Sequence, residues 1–241
     1  MLEKTKAIVV KTTQYSESSI ILKAFTEEFG MRTYMVRGVR KRKSKTPMSL
    51  FQPLNLLEMV VYEKEGRDIQ NVREIKAYKL FASIPYEIKK SSIAVFLNEV
   101  ILKSIGEEEK NQSIFDFIYQ SVLFLDEAEE SFENFHIWFM THFSRFLGFE
   151  SSTNYDAQKQ DIFDLQEGRY CSILLPDSIS IQPPLSHSFY EIQTDVKFGS
   201  EVRLGRSDRT NLLLKLQQYY QFHLPGFSDL KSLGVLTEVM E

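Results

Sequence analysis

The chain has 241 residues, with 29 Lys and Arg against 33 Asp and Glu, a formal net charge of −4. That length suits one large domain or two smaller ones, and 43% apolar residues with 19 Phe and 11 Tyr supply a true core. The single cysteine, Cys171, excludes an internal disulfide and a cysteine-based zinc site; no run reaches the ~20 apolar residues of a membrane span, and the N-terminus lacks a secretory h-region, so a reducing, cytoplasmic setting is expected.

The first elements read as strands. "KAIVVKT" (6–12), "SIILKAFT" (19–26), "MRTYMVRG" (31–38), "LNLLEMVVYEKEG" (54–66) and "DIQNVREI" (68–75) are rich in β-branched and aromatic residues, with short polar stretches between. Arg32, Tyr34 and Val36 alternate with Met31, Thr33 and Met35, which is period two. "KEGRD" reads as a hairpin turn around Gly66. Five short strands in so few residues predict a five-stranded OB-fold barrel over residues 1–80.

Between the third and fourth strands lies "RGVRKRKSK" (37–45). Six of its nine residues are basic: Arg37, Arg40, Lys41, Arg42, Lys43 and Lys45. Like charges so close repel one another, and a folded domain ordinarily intersperses opposite charges. A solvated loop is the bland reading. A nuclear-localisation signal and contact with an anionic membrane surface are rivals. Nucleic-acid binding is favoured, because OB barrels hold single strands by combining a cationic groove with aromatic stacking platforms. Tyr15, Phe25, Tyr34, Phe51 and Tyr62 are the candidate aromatics, with one or two of the five expected at the surface and Tyr34 taken as a site residue. No recognition helix is visible, so sequence-independent binding is expected.

From Phe81 onward the period becomes helical. Ile93, Phe96, Leu97, Val100 and Ile101 follow i, i+3, i+4, i+7, i+8. Ile114, Phe117, Ile118, Val122 and Leu125 mark a second helix. Phe132, Phe135, His136, Phe139, Met140 and Phe143 mark a third, running to a glycine cap at Gly148. Leu213, Leu216 and Tyr220 mark a later helix, and Leu230, Leu233, Leu236 and Met240 the last. Residues 150–208 are polar with few periodic runs and read as an irregular insertion, with short strands at "CSILL" and "SISIQ". The expected class is α+β: a barrel domain (1–80) and a helical domain (81–241) carrying that insertion.

Charge divides along the same line. Residues 1–80 hold 16 basic and 9 acidic residues, net +7, and residues 81–241 hold 13 and 24, net −11. A basic barrel attracts polyanions, and an acidic domain avoids them or meets a basic partner.

Enzymatic signatures are missing. "GVRKRKSKT" has Lys43 where a P-loop needs its second glycine. His136 and His142 are six residues apart and do not share a helix face, and no HExxH or GxSxG occurs. His136 reads as a core histidine on an apolar stripe. "GEEEK" and "DEAEE" read as solvated or helix-end charge. No cofactor, metal or catalytic residue is expected.

Taken together, "AIVVKTTQYSESSIILKAFTEEFGMRTYMVRGVRKRKSK" and "LFQPLNLLEMVVYEKEG" resemble the N-terminal domain of the bacterial recombination mediator family RecO. The matching features are Tyr15 to Ser19, the strand ending in Phe25 and Thr26, Gly30, the run from Gly38 to Arg42, and Phe51 to Tyr62. "FHIWFMTHFSRFLGFES" is similar to the family's central helix. The resemblance covers most of residues 1–150 and is fainter beyond. It implies a non-enzymatic mediator that binds single- and double-stranded DNA and anneals complementary strands. With RecR, such a mediator helps load RecA onto strands coated by the single-stranded DNA-binding protein. The alternative is a protein-interaction scaffold with incidental DNA contact. The resemblance implies a cytoplasmic, nucleoid-associated bacterial protein. Many members carry a four-cysteine zinc module after the central helix. Here "FDLQEGRYC" (163–171) keeps only Cys171, so a degenerate module held by Phe163, Leu165, Ile173 and Leu175 is expected instead.

Overall fold

The computed structural model describes residues 2–39, 46–106, 110–174 and 176–240. Five strands form a closed barrel: β1 (Leu2–Gln14), β2 (Ile20–Thr26), β3 (Gly30–Val36), β4 (Leu56–Tyr62) and β5 (Ile69–Ala77). Their order around it is β1-β2-β3-β5-β4, with β1 returning to β4 and only β3 and β5 parallel. This is the OB-fold expected from the strand count.

The period-two pattern sets which residues turn inward. Leu57, Met59 and Val61 of β4 face the core, as do Leu22 and Ala24 of β2 and Tyr34 and Val36 of β3. Each large apolar side chain taken from water here contributes about 1.5–3 kcal/mol. Two bulges interrupt the ladders. In β1, Val9 faces Ala24 and Lys11 faces Lys23, so Val10 is the extra residue. In β5, Val61 faces Val72 while Val60 faces Glu74, so Arg73 is the extra residue. A bulge bends its strand and re-aims the side chain that it carries.

Two helices pack onto this barrel, α1 (Ile88–Ser104) and α2 (Gln112–Glu127). The stripe read from the sequence, Ile93, Phe96, Leu97, Val100 and Ile101, is wholly buried. Asn98 on α1 donates from Nδ2 to the carbonyl of Val10 at the β1 bulge, 2.8 Å away. Phe25 of β2 meets Phe115 of α2 with ring centroids 6.1 Å apart. Asn111 caps α2 by accepting the Ile114 N–H at 3.1 Å.

Asp126, read from the sequence as part of a solvated acidic run, is instead buried. Its carboxylate accepts N–H bonds from Ala82, Ser83 and Ile84 at 2.9–3.1 Å. Burial alone would raise its pKa, but these three donors outweigh it and hold the carboxyl below its ordinary value. Strand gives way to helix near residue 81, whereas packing divides the chain into Met1–Asp126 and Glu127–Glu241.

The second unit is built on α3 (Phe135–Phe146), α4 (Leu185–Thr194), α5 (Arg206–His223) and α6 (Ser232–Val239). α3 ends as its sequence predicts. Gly148 sits at φ +88°, and the N–H groups of Gly148 and Phe149 return to the carbonyls of Arg145 and Ser144. Tyr220 on α5 donates to the Met140 carbonyl of α3 at 2.7 Å, and Trp138 Nε1 donates to the Asp195 carbonyl at 2.9 Å.

Residues 150–208 are more regular than expected. They hold a three-stranded sheet of β6 (Ile162–Asp164), β7 (Arg169–Cys171) and β8 (Ser180–Ile181), in the order β7-β6-β8, and the whole of α4. The strand expected at "CSILL" lies mostly before it, and that at "SISIQ" is two residues long. α4 presents only Phe189 and Ile192 as buried apolar residues, too few for a period to show.

Candidate nucleic-acid interface

The β3–β4 connection is pinned at both ends. Val39 and Phe51 are 4% and 3% exposed and belong to the barrel core. Thr12 of β1 reinforces the second anchor by donating to the Phe51 carbonyl at 3.0 Å. Between them the chain carries Arg40, Lys41, Arg42, Lys43 and Lys45, which lie outside the described residues. Arg37, the first charge of the run, is described and exposed. Val39 and Phe51 thus anchor the connection that carries the run to the barrel core.

A groove of about 330 Å³ opens beside the first anchor, Val39. Arg37, Tyr62, Asn71 and Arg73 are among its polar walls, and Met35 and Val72 line its apolar side. Register explains the grouping. Met35 of β3 faces Asn71 of β5, and Asn71 faces Tyr62 of β4. Directly opposed residues share a face, so the three form one row across three strands. The β5 bulge adds Arg73, which faces no residue of β4. Arg73 lies 3.4 Å from Glu74, but both side chains are solvent-exposed, and such a pair holds weakly.

Of the five candidate aromatics, Tyr15 and Tyr62 are exposed, at 65% and 42%, and Phe25, Tyr34 and Phe51 are buried. Tyr34 therefore offers no stacking face, which corrects its assignment as a contact residue. It shares the core-facing side of β3 with Val36, opposite Thr33 and Met35, and its hydroxyl reaches Glu63 at 2.9 Å. Burial, with the Glu63 charge adding, pushes that hydroxyl well above the ordinary tyrosine pKa.

Other basic residues are divided. Lys11 is exposed and faces Lys23 across β1 and β2. Lys6 is 3.9 Å from Glu27 and sits over the rings of Tyr78 and Tyr119, and Arg32 lies 3.8 Å from Glu63. The β4–β5 loop, which carries Lys64 and Arg67, is shaped by buried Gln70. Its amide accepts from Lys64 N–H and donates to the carbonyls of Lys64 and Arg67. Asn71 and Arg73 were missed in the sequence. Their only sign is a polar interruption of β5, and the bulge that gives it meaning depends on pairing with β4.

The residues present do not fit the zinc module. Among the described residues no three His, Cys, Asp or Glu side chains gather as metal ligands. Asn154 instead bridges to Tyr170 through both backbone groups at 2.9 Å, and the ring of Tyr155 stacks on Tyr190 at 4.9 Å. Phe163 and Leu165 are buried as expected, Ile173 is 82% exposed and takes no part in the core, and Leu175 lies outside the described residues.

A closed five-stranded OB barrel followed in the chain by a helical region places the protein among the OB-fold proteins, and comparison with known proteins gives the family. Residues 1–81 match the model for the recombination protein O N-terminal region, and residues 85–234 match that for its C-terminal region. The chain belongs to the RecO family of DNA repair and recombination proteins. It is 33% identical to the DNA repair protein RecO of Azobacteroides pseudotrichonymphae and 34% identical to that of Bacteroides fragilis, in both cases across 100% of each chain. It is 34% identical to the Flavobacterium psychrophilum protein across 98% of each. Among the described residues no helix is long and apolar enough to cross a membrane.

Proposed function

We propose that this protein is a recombination mediator that binds single- and double-stranded DNA without sequence preference. It anneals complementary strands and, with RecR, helps load RecA on strands coated by the single-stranded DNA-binding protein. The observation that carries this reading is the basic run, six charges in nine residues, held between two core anchors of an OB barrel. The barrel of residues 1–80 is the DNA-binding part, and residues 81–241 are the helical domain that follows it.

The mechanism is electrostatic. Lys and Arg that meet phosphates release condensed counterions from each strand, and a shared cationic surface lowers the repulsion between two backbones. Complementary strands held close then pair by themselves. No covalent bond is made or broken, so no catalytic residue is required. The protein works in the bacterial cytoplasm, at the nucleoid during repair.

The test is annealing of strands coated by single-stranded DNA-binding protein, comparing the wild type with a variant in which Arg40, Lys41, Arg42 and Lys43 are alanine. The wild type accelerates annealing and the variant does not; equal rates would remove the run from the mechanism. A scaffold reading is favoured by the net −11 of residues 81–241. Nuclease-treated pull-downs from bacterial lysate separate the two. Recovery of RecR or the single-stranded DNA-binding protein supports the mediator, and recovery of neither supports the scaffold.

A further inference from the structure

The groove lined by Arg37 and Val39 has features that phosphate contact alone does not need. A polyanion requires only cations. Here an exposed tyrosine, an amide and aliphatic side chains line the same groove as two guanidinium-bearing residues, Arg37 and Arg73. The volume of about 330 Å³ is at the lower end of the range for pockets that take small organic ligands. A base pair inside a duplex cannot enter such a space, whereas a single unstacked base can.

We infer that this groove is a subsite for one unpaired nucleobase of a single strand, with Tyr62 as its stacking ring. The inference rests on the DNA-binding reading above and deepens it. Asn71 stands in the same row, and its amide supplies both donors and an acceptor to a base edge. Arg37 and Arg73, which line the same groove, supply charge for the neighbouring phosphates. The β5 bulge is what brings the second of these to the groove. Every base has a π-face, so stacking on Tyr62 is tolerant of sequence, while it separates single strands from duplex.

Fluorescence anisotropy with three probes of equal length tests this: an oligothymidylate, a duplex and an oligomer of abasic sites. Tyr62→Ala weakens oligothymidylate binding by about five-fold to a hundred-fold, the range of one lost base–aromatic stack. It leaves duplex and abasic binding within about two-fold and the salt slope unchanged. Tyr62→Phe, which keeps the ring, binds like the wild type. Equal losses on single strand and duplex, or no loss, overturn the subsite. Should Tyr62→Ala fail to fold, the wild type and Asn71→Ala decide: wild-type abasic binding as tight as oligothymidylate binding overturns the inference, and markedly weaker abasic binding together with weakened thymidylate binding by Asn71→Ala supports it. A wild type that binds none of the three probes overturns the DNA-binding reading, and the subsite with it. Binding of all three without dependence on Tyr62 overturns the subsite alone.

Discussion

The hydroxyl of Tyr34 donates to Oε1 of Glu63 at 2.9 Å, tying β3 to the residue that follows β4. Glu63 also faces Arg32, with Nε 3.8 Å from Oε2. Because burial holds the phenol neutral, Tyr34 remains a donor throughout the working pH range. Tyr34→Phe keeps the ring in the core and removes the donor. The expected cost is about 1–2 kcal/mol, since the acceptor is charged yet retains Arg32. Urea denaturation reads that loss, and DNA affinity stays within two-fold of wild type. A ten-fold affinity loss would place Tyr34 in the interface after all.

The basic run makes a different prediction, one about slope as well as affinity. Each phosphate contact on a single strand contributes about −0.7 to the dependence of log K on log salt. Replacing Arg40, Lys41, Arg42 and Lys43 with alanine should therefore flatten the slope by nearly 3, and weaken binding ten-fold or more at moderate salt. Titration at several salt concentrations checks both. An unchanged slope would show that these side chains do not meet phosphates, whatever happened to affinity.

Much of this was legible in the chain itself, for identifiable reasons. The helices at Ile93–Ile101 and Phe135–Phe143 show because their apolar periods are long, and the five strands because β-branched and aromatic residues cluster between short polar stretches. The basic run shows because like charges in sequence need no fold to be noticed. What stayed hidden depends on pairing. Met35, Asn71 and Tyr62 come together only through the β3–β5 and β4–β5 registers. Arg73 joins them only through a bulge. Asp126 looked like surface charge because its run is acidic, and its three N–H donors come from residues 82–84, more than forty positions earlier. α4 was missed because ten residues with two buried apolar side chains leave little period to read.

Asn98 illustrates a polar residue whose value lies in one distant partner. Its Nδ2 satisfies the Val10 carbonyl, while its own Oδ1 is buried without a hydrogen-bond partner. Asn98→Ala leaves that carbonyl orphaned and should cost about 1–3 kcal/mol. Asn98→Asp is the sharper test. An ionised carboxylate faces the carbonyl with no proton to donate, whereas a protonated one restores the bond. Burial beside an acceptor raises the folded pKa of such an Asp above its unfolded value. The variant is therefore closest to wild-type stability below about pH 4, the ordinary Asp value, and loses ground as pH rises through the folded pKa. Denaturation midpoints at pH 4 and pH 7 that fall equally short of wild type would show that the hydrogen bond is not what Asn98 supplies.

His136 predicts a pH dependence of the second unit with a defined sign. It is 2% exposed on the apolar stripe of α3, and burial, with the nearby positive charge of Arg209, pulls its pKa from the ordinary 6.5 to about 3. The folded protein thus keeps His136 neutral where the unfolded chain protonates it. Its contribution is intact above about pH 6.5 and is lost as pH falls toward 3, because the unfolded state binds the extra proton in that window. Between pH 7 and pH 5 the loss comes to about 2 kcal/mol, from about 1.5 units at 1.36 kcal/mol each. His136→Gln cannot titrate, so its stability should fall less over that interval, whatever its absolute value at pH 7. A residual slope is expected from His142, which burial also holds below its ordinary pKa. Urea denaturation of both proteins at pH 7, 6 and 5 measures the difference between the two curves, and parallel curves would exclude His136 as its source.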